Sequence, residues 1–228
     1  CKGADHGKQY SGSACQELAK FYLKGNSVDR DVARAVDLLR RGCKRPSRRA
    51  CLDLGNLLLD EQEIEQDVAG AVAAFSRACE GKKKEAKACS RLGVMLARGV
   101  EIPRDAVKAE QFLIDGCTFP KWVGTACYEL ARLYETDLSG RKSEQEITDI
   151  YRVACQRADS KRNGDACVAA ARRELEGKGK SQGIKQGNNW ASQLYSRGCQ
   201  LKHLESCKLS CELHCQEGQQ HACRPNFP

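Results

Sequence analysis

Cysteine is the residue type in this 228-residue chain with the widest chemical repertoire. Fifteen cysteines are present, and a thiol can form a disulfide, bind a metal or take part in redox exchange. One series, preceded by Ala or Ser, recurs at intervals of 36, 38, 38, 40 and 40 residues. Its members are Cys15, Cys51, Cys89, Cys127, Cys167 and Cys207. A nearly constant interval of this length is typical of a repeat array.

A second cysteine precedes most members of this series by 8 to 12 residues. Close Cys-x-x-Cys pairs, which zinc sites and thiol redox sites use, do not occur in the sequence. We therefore predict structural disulfides, with no metal and no cofactor. The disulfide that closes each short loop would stabilise the fold by about 2–3 kcal/mol. The register predicts seven pairs: Cys1–Cys15, Cys43–Cys51, Cys79–Cys89, Cys117–Cys127, Cys155–Cys167, Cys199–Cys207 and Cys215–Cys223.

This pairing leaves Cys211 as a free thiol. It lies four residues after Cys207, where the earlier repeats carry Ala or Gly, so we predict a buried thiol that fills a small space. Two alternatives remain open. Cys207, Cys211 and Cys215 are spaced i, i+4, i+8 near His214 and His221, which could form a metal or redox cluster, or the disulfide pairing could differ.

The cysteines are expected to lie at the ends of helices. The first half of each repeat reads Ala-Cys-x-x-Leu-(Ala/Gly)-x-x-(Tyr/Leu), which predicts an amphipathic helix that we call helix A. The second half ends Ala-x-x-x-(Leu/Phe/Tyr)-x-x-x-Cys, and this spacing predicts a helix B with one face in the core. No β-alternation of useful length appears. The predicted fold class is all-α, an α-solenoid of about five to six disulfide-clamped helix-turn-helix repeats.

The whole chain, 1–228, is predicted to be a single repeat array. In the fifth repeat, the link from Gly177 to Asn189 is long and rich in Gly and Lys, so we predict an irregular connection there. The predicted divisions are 1–13 as the tail of a preceding repeat, then 14–49, 50–87, 88–125, 126–165 and 166–205 as repeats, and 206–228 as a C-terminal half-repeat cap.

Composition limits the environment and the partners of the chain. Lys and Arg number 38 against 30 Asp and Glu, and the net charge of +8 favours acidic partners. Cysteine usage indicates an oxidising compartment, so the protein would be secreted, periplasmic or surface-exposed, or would lie in the intermembrane space of an organelle. No apolar run approaches 18 residues, so we predict no membrane span. Because the chain opens on Cys1 in mid-motif, we expect a mature or upstream-truncated segment.

The repeated segments resemble the Sel-one-like repeat, a relative of the tetratricopeptide repeat, as in ACQELAKFY (14–22) and ACYELARLY (126–134). The cysteine pair in each unit is similar to the cysteine-rich, Hcp-like branch, some members of which are described as penicillin-binding proteins or β-lactamases. The resemblance implies a right-handed superhelix that serves as an adaptor in protein–protein contacts. The chain departs from the pattern at Ala170 and Ser210, which stand where Leu is expected.

Catalytic motifs are weak in this sequence. The Ser-x-x-Lys of a serine β-lactamase occurs once, from Ser139 to Lys142, without Ser-Asp-Asn or Lys-Thr-Gly elsewhere. We predict that the chain is not an enzyme, and a slow penicillin-binding or β-lactamase-type enzyme is the alternative. A further alternative is a surface or secreted structural or host-interaction protein in which Cys1 is lipidated. The basic run at 40–49 lacks interleaved aromatic residues, so nucleic acid is not a predicted partner.

Helical-hairpin solenoids present helix A on a concave face. Residues one, five and nine after each A cysteine share a stripe on which apolar and charged side chains alternate, as in a peptide groove. Trp122 is added because tryptophan is frequent in binding hot spots. The predicted function is a non-catalytic scaffold for a protein or peptide with acidic groups. The predicted binding residues are Gln16, Lys20, Leu52, Asn56, Val94, Arg98, Trp122, Tyr128, Arg132, Val168 and Arg172.

Overall fold

A computed structural model describes most of the chain. The described residues are 12–26, 28–44, 47–60, 62–81, 83–118, 123–157, 164–179 and 184–216, the side chains at 184–185 and 215–216 excepted. Regular structure within these ranges is entirely α-helical. They form two compact units, Cys1–Gly116 and Cys117–Pro228. No helix in the described ranges combines the length and apolar character needed to cross a bilayer.

The first unit contains three helix pairs, and each helix packs on the next one along the chain. Odd-numbered helices correspond to the predicted helix A and even-numbered helices to helix B. Each A helix begins two residues before its Ala-Cys dipeptide. The bounds are α1 Gly12–Lys24, α2 Val32–Lys44, α3 Arg48–Asp60, α4 Val68–Cys79, α5 Ala86–Arg98 and α6 Ala106–Gly116.

The second unit continues the same alternation, again with each helix packed on the next. One expectation is wrong. The link predicted to run to Asn189 is shorter, because α10 already begins at Ile184 despite two glycines nearby in the sequence. The bounds are α7 Gly124–Glu135, α8 Glu144–Gln156, α9 Gly164–Leu175, α10 Ile184–Gln200 and α11 Leu204–Gln216.

A small residue on helix A allows a large residue of helix B to enter the core of the same repeat. A Cβ atom built on Gly55 would lie 2.4 Å from Cε1 of Phe75, which is fully buried. A Cβ atom on Gly93 would lie 2.7 Å from Cγ of Leu113. Real carbon contacts lie near 3.5–4.0 Å, so only glycine fits at these two positions. The consensus Ala/Gly of helix A is therefore a packing requirement.

Disulfides join the end of each B helix to the first turn of the following A helix, with Cα–Cα distances from 4.6 to 5.1 Å. Cys15 is also disulfide-bonded, and its predicted partner Cys1 lies outside the described residues, as does the predicted Cys215–Cys223 bond. The five bonds within the described residues are Cys43–Cys51, Cys79–Cys89, Cys117–Cys127, Cys155–Cys167 and Cys199–Cys207.

A capping box starts α8. Ser143 Oγ accepts the backbone N–H of Glu146, and the Glu146 carboxylate accepts the backbone N–H of Ser143 at 2.9 Å. A hydrogen bond from Lys142, and then those from Ser143, lower the pKa of Glu146 from 4.5 to about 2. The ionised carboxylate therefore favours the folded helix.

Candidate peptide groove and polar networks

The predicted binding stripe divides into a buried row and an exposed row. Gln16, Leu52 and Val168 directly follow an A cysteine, and all three are buried. Gln16 Nε2 donates to Asp53 Oδ2 at 2.6 Å, so this side chain links α1 to α3. These three residues pack neighbouring helices and offer little surface to a partner.

The second row, five residues after each cysteine, is more accessible. Lys20, Asn56 and Val94 are half-buried, and Arg132 and Arg172 are exposed. The two rows lie on the same face of helix A and one turn apart, because four residues span about one helical turn. The second row can therefore contact a partner.

The other three predicted binding residues do not fit this division. Tyr128 follows an A cysteine directly yet is only half-buried, whereas Arg98 lies a turn further on and is exposed. Trp122 lies outside the described residues.

In the first unit, α1 and α3 enclose a cavity of about 380 Å³ that includes two of the predicted residues. Its floor is apolar because Ala19, Leu39 and Leu57 line it. The rim is polar. The complete lining is Ala19, Lys20, Leu23, Leu39, Asp53, Asn56, Leu57 and Asp60, which we call the α1–α3 groove.

Charges on the rim of the α1–α3 groove are largely matched within the protein. Lys20 Nζ lies 2.7 Å from Glu17, and this ion pair is accessible to solvent. Arg91 of α5 forms an ion pair with Asp60, and its Nε donates to Asn56 at 3.0 Å. Exposed pairs of this kind contribute about 0–1 kcal/mol each. They hold the rim in place but are weak enough to exchange with the charges of a ligand.

In the second unit, Tyr128 and Arg132 lie together on α7. The Arg132 guanidinium lies 6.0 Å from the centre of the Tyr128 ring, and its Nη1 is 3.4 Å from the buried Glu129. Tyr128 also packs on Tyr151 of α8, with ring centres 5.7 Å apart. On α9, Arg172 is paired with Glu205 at 2.7 Å. These predicted residues therefore already have partners within the protein.

A buried polar network between α7, α8 and α9 was not foreseen from the sequence. Arg173 is buried and forms ion pairs with Glu135 and Glu144, and its Nε donates to Thr148 at 2.9 Å. Tyr151 donates its hydroxyl to Glu135 at 2.6 Å. Burial and that hydrogen bond raise the pKa of Tyr151. The network holds three helices together and leaves its tyrosine protonated.

The signal for this network was a break in the repeat pattern. Arg173 stands six residues after its A cysteine, where earlier repeats carry Leu57, Met95 and Leu133 in the core. A cation on a core face requires a buried anion. The break therefore predicts a charged partner without saying which carboxylate supplies it.

A second cluster overlooked in the sequence contains Ser206, His203 and Asp165. Ser206 Oγ lies 2.9 Å from His203 Nδ1, and His203 Nε2 lies 3.0 Å from Asp165 Oδ1. The residue types are those of a catalytic triad, but the two ring nitrogens are reversed, since a triad places Ser at Nε2 and Asp at Nδ1. Moreover, Ser206 is completely buried, and its hydroxyl lies so close to Gly198 that a Cβ there would be 2.2 Å away. His203 also accepts the Ser206 backbone N–H at 3.3 Å, so the cluster caps α11.

The same cluster offers metal-ligating atoms. One ligand atom from each of Asp165, His203 and Glu205 lies within 4.8 Å of the others. Each is already used, because His203 bonds to Asp165 and Ser206 while Glu205 pairs with Arg172. The protein's own contacts account for the arrangement.

The remaining cysteine and the serine–lysine motif have separate environments. Cys211 lies half-buried on α11, and the nearby His214 donates its Nδ1–H to the carbonyl of Ser210 at 2.6 Å.

In the Ser-x-x-Lys motif, Ser139 is exposed, whereas Lys142 Nζ donates to Glu146 at 2.8 Å. The ammonium of Lys142 is therefore engaged in the cap of α8.

Paired helices, small-to-large contacts inside the pairs α3–α4 and α5–α6, and disulfides between pairs define an α-solenoid of helical hairpins. The Sel1 repeat model matches residues 12–47, 86–114 and 124–146. These three segments of the chain are therefore Sel1 repeats. A Sel1 repeat protein from Oxalobacter formigenes has the same fold, with a TM-score of 0.73 and 16% identity over 95% of this chain and 81% of its own.

Two further solved structures align less well. A protective antigen of uropathogenic Escherichia coli strains, with an SLR fold, is 17% identical over 93% of this chain and 51% of its own, with a TM-score of 0.46. An immunity protein from Pseudomonas aeruginosa is 14% identical over 85% of this chain and 83% of its own, with a TM-score of 0.44. No curated protein matches the chain. The Hcp-like branch is not separated by these comparisons and stays a prediction.

Proposed function

We propose that the chain is a non-catalytic scaffold that binds a peptide segment of a partner protein in the α1–α3 groove. Sel1-repeat proteins are generally protein–protein interaction scaffolds and generally non-catalytic. The observation that supports this site is the apolar floor beneath a polar rim, which suits one buried side chain and a solvated peptide backbone. The partner would anchor an aliphatic or aromatic side chain there.

The size of the groove supports this choice of ligand. Its 380 Å³ lies in the lower part of the range for ligand pockets, about 300–1,000 Å³. One large side chain and its flanking backbone fill such a volume, whereas a globular surface would not enter it. We therefore infer a linear segment as the occupant.

The proposed preference for acidic partners has a narrower basis than the net charge. Lys20 is the cation in the groove lining, and its exposed pairing with Glu17 is weak enough to exchange. Asp53 and Asp60 on the same rim would repel an extended acidic run. We therefore propose one acidic residue beside the anchor, rather than a uniformly acidic partner.

Selection from a displayed random-peptide library, followed by fluorescence polarisation with the enriched peptides, tests the groove. Asn56→Trp places a large side chain on the half-buried rim and should weaken the selected peptides by about tenfold or more. Ala73→Trp adds the same side chain at an exposed position of α4 and is the matched control. Both variants should retain the helical circular-dichroism spectrum.

The outcome separates the groove from its charge preference. Equal affinity of the selected peptides for Asn56→Trp and the unmodified chain would rule out the α1–α3 groove as the site. Lys20→Glu should selectively weaken peptides that carry an acidic residue beside the anchor. If it weakens neutral and acidic peptides alike, the proposed acidic contact is wrong while the groove stands.

The disulfides suggest an oxidising environment. We infer a secreted, periplasmic or surface-exposed protein. Alkylation of the protein in intact cells, followed by mass spectrometry, should find Cys43 and Cys51 protected until a reductant is added. Alkylation of both residues without reduction would contradict the inference.

A further inference from the structure

We propose that the corner between α2, α3 and α4 is a binding site for a tetrahedral oxyanion, a phosphate or sulfate group. A cavity of about 390 Å³ opens at this corner, beside the Cys43–Cys51 disulfide. It is distinct from the α1–α3 groove, since the two linings share no residue. The lining consists of Cys43, Lys44, Ser47, Arg48, Cys51, Arg77, Glu80 and Gly81, which we call the corner cavity.

The charge of the corner cavity favours an anion. Three cations, Lys44, Arg48 and Arg77, line it against one carboxylate, Glu80. In the described part of the chain, the ammonium of Lys44 and the guanidinium of Arg48 form no ion pair. The like charges of these cations repel each other because they line one cavity. A bound dianion would replace this repulsion with attraction.

An unsatisfied donor points to the same ligand. The Nε atom of Arg48 is buried and has no hydrogen-bond partner among the described residues. Burying an N–H of a charged group without an acceptor is unfavourable, and native proteins rarely leave one. The guanidinium fork matches two oxygens of a phosphate or sulfate. Because Nε is shielded from solvent, such a group would satisfy Nε and a neighbouring Nη together by drawing the guanidinium toward the cavity.

The backbone around the corner cavity holds the cations in position. Arg77 Nη2 donates to the carbonyl of Lys44 at 3.1 Å, which fixes the end of α4 against the end of α2. The disulfide fixes the start of α3 against the same turn, with Cα atoms 4.6 Å apart. The positive end of the α3 dipole adds to the potential there. An anion would therefore meet a largely preorganised site.

Glycine keeps this cavity open. Gly81 has a φ of +73°, a conformation that side chains other than glycine rarely adopt. A Cβ atom at this position would lie 3.4 Å from Nη2 of Arg48. The absence of a side chain thus leaves space directly beside the guanidinium.

The test is a titration with inorganic phosphate at low ionic strength, followed by the ¹H–¹⁵N signals of arginine side chains. The Arg48 Nε–H signal should shift and saturate. Lys44→Gln and Arg77→Gln should each weaken phosphate binding by about tenfold, as expected for one charge-assisted hydrogen bond. Lys24→Gln removes one exposed charge from α1, outside the cavity, and should leave the affinity for phosphate within about twofold.

Two variants are used because Arg77 also supports the Lys44 backbone, whereas the Lys44 ammonium makes no contact that folding requires. An unshifted Arg48 signal, or equal weakening by Lys24→Gln and Lys44→Gln, would overturn the proposal, since the binding would then be general charge attraction.

A heparin-derived tetrasaccharide and its desulfated form distinguish the sources of the oxyanion. Tighter binding of the sulfated sugar than of phosphate, lost in Lys44→Gln, assigns the site to sulfate esters. Tighter binding of phosphate assigns it to the free ion.

Discussion

Replacing Gly55 by alanine is predicted to destabilise the first unit, although alanine is the better helix former. The helix-propensity gain is about 1 kcal/mol. Against it, the new methyl carbon would lie 2.4 Å from Cε1 and 2.7 Å from Cδ1 of Phe75. Restoring a contact near 3.5 Å requires a displacement of about 1 Å. Phe75 is fully buried and has no open side to move into.

The net loss should be about 0–2 kcal/mol, because forced overpacking costs about 1–3 kcal/mol before the propensity gain of about 1 kcal/mol is subtracted. Guanidinium denaturation followed by far-UV circular dichroism, with the disulfides intact, measures it. The double variant Gly55→Ala with Phe75→Leu supplies the decisive comparison. Phe75→Leu alone removes ring atoms and should itself destabilise by on the order of 1 kcal/mol.

In the double variant, the methyl group should occupy the space that the ring vacates. The two changes should therefore destabilise less than the sum of the single variants, by about 1 kcal/mol or more. Strict additivity, or a stabilised Gly55→Ala variant, would refute the small-to-large packing rule.

Two adjacent arginines of α9 should respond differently to alanine in denaturant titrations. Arg173→Ala should cost about 3 kcal/mol because it leaves buried charge unpaired, whereas Arg172→Ala should cost about 1 kcal/mol or less, and equal costs would contradict the buried network. Glu146→Gln should act through pH. The folded-state pKa is about 2 against the usual 4.5, so the stabilisation is complete above pH 4.5 and disappears as the pH falls through 2. The difference in melting temperature between Glu146→Gln and the unmodified chain should shrink across that interval, and a constant difference would be inconsistent with ionisation. Replacing Cys43 and Cys51 together by serine should lower the free energy of unfolding by about 2–3 kcal/mol in calorimetry, and unchanged stability would show that the bond does not clamp the corner.

Much of the fold could be predicted because its determinants are local and repeated. The Ala-Cys dipeptide recurs in register with the apolar spacing of helix A, and the same register places Cys43 beside Cys51 and Cys155 beside Cys167. Repetition averages out the ambiguity of any single segment. The start of α10 was misjudged because Gly and Lys weakened the local signal, while packing against α9 and α11 supports a helix there.

The candidate site was only partly predictable. The binding stripe on helix A stays a prediction, and burial removes Gln16 and Leu52 from its accessible part. Accessibility depends on how closely the next helix approaches, and that distance follows from contacts between residues more than 30 positions apart. Arg173 shows the same limit, because its partner carboxylates come from two other helices.

The sequence by itself determined the repeat, the alternation of A and B helices and the positions of the disulfide corners, because each depends on spacing within about 40 residues. Tertiary structure decided which polar groups are buried, where a groove opens and which buried donor has no partner among the described residues. The Nε atom of Arg48 illustrates the difference. Its place in a basic run is visible in the sequence, but its burial results from the packing of α2, α3 and α4, since desolvation depends on every atom that surrounds a group and not on its chain neighbours alone.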